Sequence, residues 1–201
     1  MPGSNSSGST TGAVRSVLYA SLLPPVHWKN GGGITREIAL APQGAGYADF
    51  DWRLSLADIV ESGPFSSLPG VDRHFLMGTK GSLKMIIDGR PRQLALGSRA
   101  VFAGEADVAV EVIQGPTRNL NLMTRREVCG GSIEMLQIRA PFLVGAGRGP
   151  VAVVVLAGTV ELKDGTTLEP FHVLIPGPDE EPVLGHDALV AAVRVWRKPP
   201  A

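Results

Sequence analysis

The sequence predicts an all-β protein, a sandwich or barrel built from two related lobes. Short apolar runs bounded by Gly, Pro or Asp-Gly recur about every ten residues from Val14 onward, the spacing of strands in such folds. The 25 Gly and 16 Pro are spread along 201 residues and leave little room for long helices. One stretch also occurs twice: Gly81–Gly104, GSLKMIIDGRPRQLALGSRAVFAG, parallels Gly158–Gly177, GTVELKDGTTLEPFHVLIPG.

Residues 1–13 are Ser/Gly/Thr-rich and almost without apolar side chains, so they are expected to form a disordered tail. The first lobe is expected over 14–115 and the second over 116–201, within one compact unit. The best helical candidate is a short turn over Leu56–Ser62, stopped by Gly63-Pro64, unless the segment is a strand end. In each copy of the repeat an Asp-Gly pair (Asp88-Gly89, Asp164-Gly165) favours the positive backbone angles of a tight hairpin, and an apolar returning strand follows.

Lys+Arg and Asp+Glu are both 19, so the net charge is zero, and no basic run offers the phosphate neutralisation that nucleic acid demands. No apolar stretch approaches the roughly 18 residues of a membrane span, and no leader-like N-terminus is evident, which makes the cytoplasm the default. Cys129 is the single cysteine and excludes a disulfide scaffold. Arg outnumbers Lys 14 to 5, a bias that suits bidentate anion recognition, although genome base composition is the plainer explanation.

Candidate binding residues lie in three places. Phe50–Ala57, FDWRLSLA, separates by parity into an apolar face (Phe50, Trp52, Leu54, Leu56) and a polar one (Asp51, Arg53, Ser55, Ala57). The polar face is either solvated or lines a barrel lumen, where Arg53 and Ser55 would form an anion-binding surface with Asp51 as an internal competitor. Lys29 and Asn30, just before Gly31-Gly32-Gly33, supply donors where the backbone approaches something closely, or else the segment is a flexible loop. In NLNLMTRR (119–126), Asn119 and Asn121 alternate with leucines and suit either a polar ligand or internal hydrogen bonding. Arg125 and Arg126 are expected to be solvated or paired with acids.

WKNGGGITREI (28–38), FDWRLSLADI (50–59), GPFSSLPGVDRHF (63–75) and NLNLMTRR together resemble the HutD/Ves family. The resemblance is strong over about 17–126 and looser beyond. It implies a cupin-like (RmlC-like) double-stranded β-barrel, duplicated into two β-lobes, and an accessory or regulatory association with histidine utilisation. It does not imply a defined reaction. Two positions depart from the family pattern: His27 where Pro is usual before Trp28, and Asn119 where Asp is usual. The second change removes a negative charge from the expected pocket edge.

Many cupins hold a metal through two closely spaced His, a Glu and a later His, and His27, His74, His172 and His186 show no such spacing. No cofactor or metal is therefore expected. Asp72, Arg73 and His74 form the one cluster comparable to those of metal-independent isomerases, or an Asp–Arg pair that closes the turn after Pro69-Gly70. Three readings stay open: a binder of a small polar or carboxylate ligand through Lys29, Asn30, Arg53, Ser55, Asp72, Arg73 and Asn121; a metal-independent isomerase or epimerase; and a structural protein with a filled barrel. A homodimer is left open.

Overall fold

A computed structural model describes residues 15–144, 149–177, 179, 181–185 and 187–199. The expected tail and His186 lie outside these. Three strands lead the chain, β1 (Ser16–Tyr19), β2 (Pro25–His27) and β3 (Gly33–Ala41). Two runs of eight follow. The first comprises β4 (Trp52–Ile59), β5 (Gly63–Pro64), β6 (Val71–Met77), β7 (Ser82–Ile87), β8 (Arg90–Leu94), β9 (Arg99–Ala103), β10 (Val108–Gln114) and β11 (Thr117–Arg125). The second comprises β12 (Cys129–Ile138), β13 (Phe142–Val144), β14 (Ala152–Ala157), β15 (Val160–Leu162), β16 (Thr167–Leu168), β17 (His172–Ile175), β18 (Glu181–Gly185) and β19 (Ala188–Arg197).

The two runs pair identically. One sheet of the first has the order β4-β11-β6-β9 and the other β5-β10-β7-β8; the second repeats this as β12-β19-β14-β17 and β13-β18-β15-β16. The chain is therefore a duplicated eight-stranded unit, with β2 and β3 extending the first unit's sheet beside β4 and β1 extending the second's beside β17. Gly81–Gly104 and Gly158–Gly177 are equivalent, each a hairpin in the four-stranded sheet followed by a strand in the larger one. The hairpin turns differ: Asp88 and Gly89 both take positive φ, whereas in the second copy Gly165 alone does.

The observed repeat boundary falls at 126–128 rather than at 115, because β11 sits in the middle of the first unit's sheet and not at the start of the second lobe. Likewise β1 joins the second unit although it begins the chain. Leu56–Ser62 is not helical: β4 runs through Ile59, its apolar residues meeting cores on both faces. The only helical element among the described residues is a single 3-10 turn, Ala20–Leu22.

Four sheets stack in layers and enclose three large cores, and a fourth, smaller cluster gathers Phe50, Val71 and Met123. Leu54, Leu56, Leu76, Leu120 and Leu122 of the first unit interlock with Ile133, Val154, Leu156, Ala191 and Val193 of the second, fastening the two larger sheets back to back. Between the second unit's own sheets lie Val144, Val153, Val155, Val160, Leu162, Leu168, Leu174, Val183 and Val190, with Phe142 packed against them. Between the first unit's sheets lie Ile59, Phe75, Met77, Leu83, Met85, Phe102, Val108 and Val110. Period-2 alternation sends adjacent residues of one strand into different cores.

The Gly31-Gly32-Gly33 turn serves this packing. Gly31 takes a φ of 75°, and a Cβ on Gly33 would sit 2.3 Å from the Asp58 carbonyl oxygen and 3.3 Å from the Trp28 ring. The close approach is thus to the chain's own backbone. Gly33→Ala is expected to destabilise the protein by about 1–3 kcal/mol, since the clash is with backbone of a central strand. Urea denaturation would show it, and an unchanged midpoint would mean that β3 and β4 separate more readily than their register suggests.

A cationic site in the lumen of the first unit

Parity places the polar face of β4 inside the first unit. Ile59 belongs to its lumen and Leu54 and Leu56 to the interface between units, so Arg53, Ser55 and Ala57 face the lumen. The same reasoning turns Arg73 inward on β6, beside Phe75 and Met77, and Asn119, Asn121 and Met123 inward on β11. Register then arranges them in rows across the sheet: Arg53, Met123 and Arg73 in one, and Ser55, Asn121 and Phe75 in the next.

Both guanidinium groups are almost wholly buried, Arg53 at 5% and Arg73 at 6% exposure. Arg53 donates from Nε to Glu37 at 2.7 Å and lies 4.8 Å from the Tyr47 ring centroid. Its Nη1 is buried without a partner. Arg73 lies against two neighbouring rings, Phe65 at 4.7 Å and Phe102 at 5.4 Å, and among the described residues donates only a long 3.3 Å bond to the Ser66 carbonyl. Its Nε is likewise buried and unsatisfied. Burial pushes its pKa down to about 10; Tyr47 offsets part of that and nearby Arg53 adds to it. Among the described residues no carboxylate bonds to Arg73.

Below the arginines a short amide relay runs along β11. Asn119 donates to the Ala57 carbonyl at 3.1 Å, Asn121 donates to Asn119 Oδ1 at 2.9 Å, and Asn121 Oδ1 is buried with no partner. The lumen thus holds two cations, one partly exposed carboxylate committed to Arg53, and amide and hydroxyl groups. Such a set does not suit a transition metal, which takes converging imidazole, thiolate or carboxylate donors. Among the described residues no group of three or more His, Cys, Asp and Glu could hold an ion.

Other sequence-selected residues lie elsewhere. Lys29 and Asn30 are exposed in the turn before Gly33, which pairs with Ile59; that is six residues beyond Arg53, roughly 20 Å along β4. Asn30 accepts a 3.1 Å bond from the Gly32 amide, closing its own turn. They do not join the rim near Arg53. Asp72 points away from the lumen and accepts a 2.7 Å bond from Arg126, which also grips Glu105. Asp51 pairs with Arg197 and not with Arg53.

His74 shares Asp72's face and lines an outer cleft of about 490 Å³ with Arg92, Arg99 and Ser132. Burial lowers its pKa and Asp72 offsets part of the effect. Asp72 and His74 are therefore not aimed at the lumen that Arg73 enters. Cys129 is buried, and burial foremost, with Asp51, raises its thiol pKa against the opposing Arg197 and Lys198, the reverse of an activated nucleophile. Glu37 and Tyr47 were missed from the sequence. No helix among the described residues is long and apolar enough to cross a membrane.

The HutD family model matches residues 20–188. The chain belongs to the HutD family. Protein Ves of Cronobacter sakazakii is 35% identical over 144 residues, 71% of this chain and 76% of that protein. A Pseudomonas putida protein described as an uncharacterized 21.2 kDa protein in the hutC 3' region is 39% identical over 108 residues, 53% of this chain. That match spans 56% of the P. putida protein. HutD from Pseudomonas fluorescens SBW25 superposes with a TM-score of 0.75 at 28% identity, covering 92% of this chain and all of that one (100%). A cupin 2 conserved barrel protein from Leptotrichia buccalis, at 10% identity, covers 91% of this chain and 96% of that one with a TM-score of 0.59, which shows the fold. The duplicated units of this HutD-family chain are thus cupin-like.

Proposed function

We propose that this HutD-family chain is a non-catalytic cupin that binds one small carboxylate in the lumen of its first unit. One observation carries the reading: Arg53 Nη1 and Arg73 Nε are buried donors without partners, on side chains that flank Met123 on the same lumen face. An unsatisfied buried N–H on a cation is expensive, and a carboxylate is the compact anion whose two oxygens suit two guanidinium groups. Glu37 neutralises one of the two charges, leaving room for a single negative charge. The second unit acts as scaffold, its lumen filled.

An accessory or regulatory role in histidine utilisation is part of the proposal, supported by the family name and by the genomic position in the P. putida relative's description. Formate, which names the condition of the solved P. fluorescens HutD, is the smallest probe. Urocanate and N-formylglutamate are larger ones. Calorimetry with these acids is the test, comparing the native protein with Arg53→Lys. A point charge cannot reproduce the guanidinium fork, so binding is expected to weaken by about tenfold or more with little change in melting temperature. Unchanged binding together with a large loss of stability would make Arg53 a structural partner of Glu37 and remove the centre of the site.

A further inference from the structure

The amide relay narrows the ligand class, on the assumption that the carboxylate reading is right. We infer that the ligand carries, besides its carboxylate, a hydrogen-bond donor that meets Asn121 Oδ1. The orientation of Asn121 follows from chemistry. A backbone carbonyl only accepts, so the Asn119 side chain must present its NH₂ to the Ala57 oxygen, 3.1 Å away. Asn119 Oδ1 is then the atom facing Asn121, and Asn121 must turn its own NH₂ toward it, at 2.9 Å. The remaining atom, Asn121 Oδ1, is an acceptor, and it is buried with no donor although the residue is only 4% exposed. Flipping Asn121 would set its oxygen against Asn119 Oδ1, acceptor against acceptor, and flipping Asn119 would set its oxygen against the Ala57 carbonyl.

The second unit shows what these positions look like without a ligand to hold. Aligning Met77-Gly78-Thr79 with Ala157-Gly158-Thr159 makes Phe75 equivalent to Val155, and Val155 pairs with Val190 as Phe75 pairs with Asn121. Arg73 corresponds to Val153, and the pairing with β12 makes Ser55 equivalent to Leu136 and Asn119 equivalent to Ala188. One unit has aliphatic side chains where the other places an orphaned cation and an orphaned acceptor. A filled lumen is therefore compatible with the fold, and the polar set answers a different need. Asn121 lies two residues along β11 from Met123, so the acceptor and the guanidinium row are about 7 Å apart at the backbone. A donor a few bonds from the carboxylate, as in an ω-hydroxy acid or an acid bearing an amide or ring N–H, spans that interval.

Calorimetry with propionate and 3-hydroxypropionate, and with butyrate and 4-hydroxybutyrate, tests the inference on the full chain. At least one hydroxylated acid is expected to bind about tenfold or more tightly than its counterpart, because the plain acid leaves a desolvated acceptor unpaired. The gap is expected to close in Asn119→Ala/Asn121→Val, which copies Ala188 and Val190 and removes the relay without stranding either amide. Asn121→Val alone serves if the double variant does not fold. Equal binding of both members of each pair to the native protein would overturn the donor requirement and leave the carboxylate reading standing. Binding of none of the four acids would remove the carboxylate reading and this inference with it. A gap that persists in the folded variant would show that the acceptor is not Asn121.

Discussion

Leu122→Ala is expected to lower the free energy of unfolding by about 3–5 kcal/mol, the upper range for truncating a buried leucine. Leu122 has no exposed surface and stands in the middle of the interface that joins the two units. The site cannot collapse to fill the cavity, because β11 is held on both sides by β4 and β6 and faces β12 and β19 across the interface. One Leu122 methyl already lies against Gly131, where an added Cβ would come within 2.7 Å. That glycine leaves no side chain able to swing into the void. Urea denaturation followed by tryptophan fluorescence would measure the loss; a change below about 1 kcal/mol would mean that the sheets shift to close the gap.

Much of this arrangement is legible in the sequence, for reasons of period rather than identity. FDWRLSLA and NLNLMTRR each separate into two faces, and in the structure Leu54, Leu56, Leu120 and Leu122 go to the interface between the units, whereas Phe50, expected on their face, packs instead with Val71 and Met123. That Arg53 and Asn121 lie opposite the leucines of their strands was readable because a strand's alternation is local information, but whether that face meets solvent or a lumen was not. What is not local was not readable. Lys29 and Asn30 precede a close backbone approach, but only the pairing of Gly33 with Ile59 puts that approach far from Arg53. Glu37 is the ion partner of Arg53, yet a register shift between Glu37 and Ala39 breaks the alternation that would have placed it. Tyr47 comes from the connection between β3 and β4, where no period applies. The Asp72–Arg73 pair illustrates the same limit: adjacent in sequence, the two side chains leave opposite faces of β6, one toward Arg126 and the other into the lumen. The boundary near 115 failed because β11 returns to the centre of a sheet that is complete only when its last strand arrives.

Arg73→Met is expected to abolish carboxylate binding while raising, not lowering, the melting temperature. Arg73 sits in the lumen without a carboxylate partner in the bonds it makes, and burial holds its pKa at about 10, well under the ordinary guanidinium range. A native pKa below the unfolded one means that the charged form is penalised by folding; the penalty is present throughout the neutral range and is relieved only as pH rises through about 10. Its size is on the order of 3 kcal/mol by the equivalence of 1.36 kcal/mol per tenfold change in proton affinity. Contact with Phe65 and Phe102 and the bond to Ser66 return part of this, and methionine keeps most of the packing against the two rings while shedding the charge. A net gain of about 1 kcal/mol is the expected result, seen as a higher urea midpoint in ligand-free buffer. Saturating carboxylate should then raise the melting temperature of the native protein but not of the variant, because a ligand stabilises only the state that binds it. A variant that melts well below the native protein without ligand would show that Arg73 holds the lumen together through contacts of its own, and that its unpaired Nε is no measure of a missing anion.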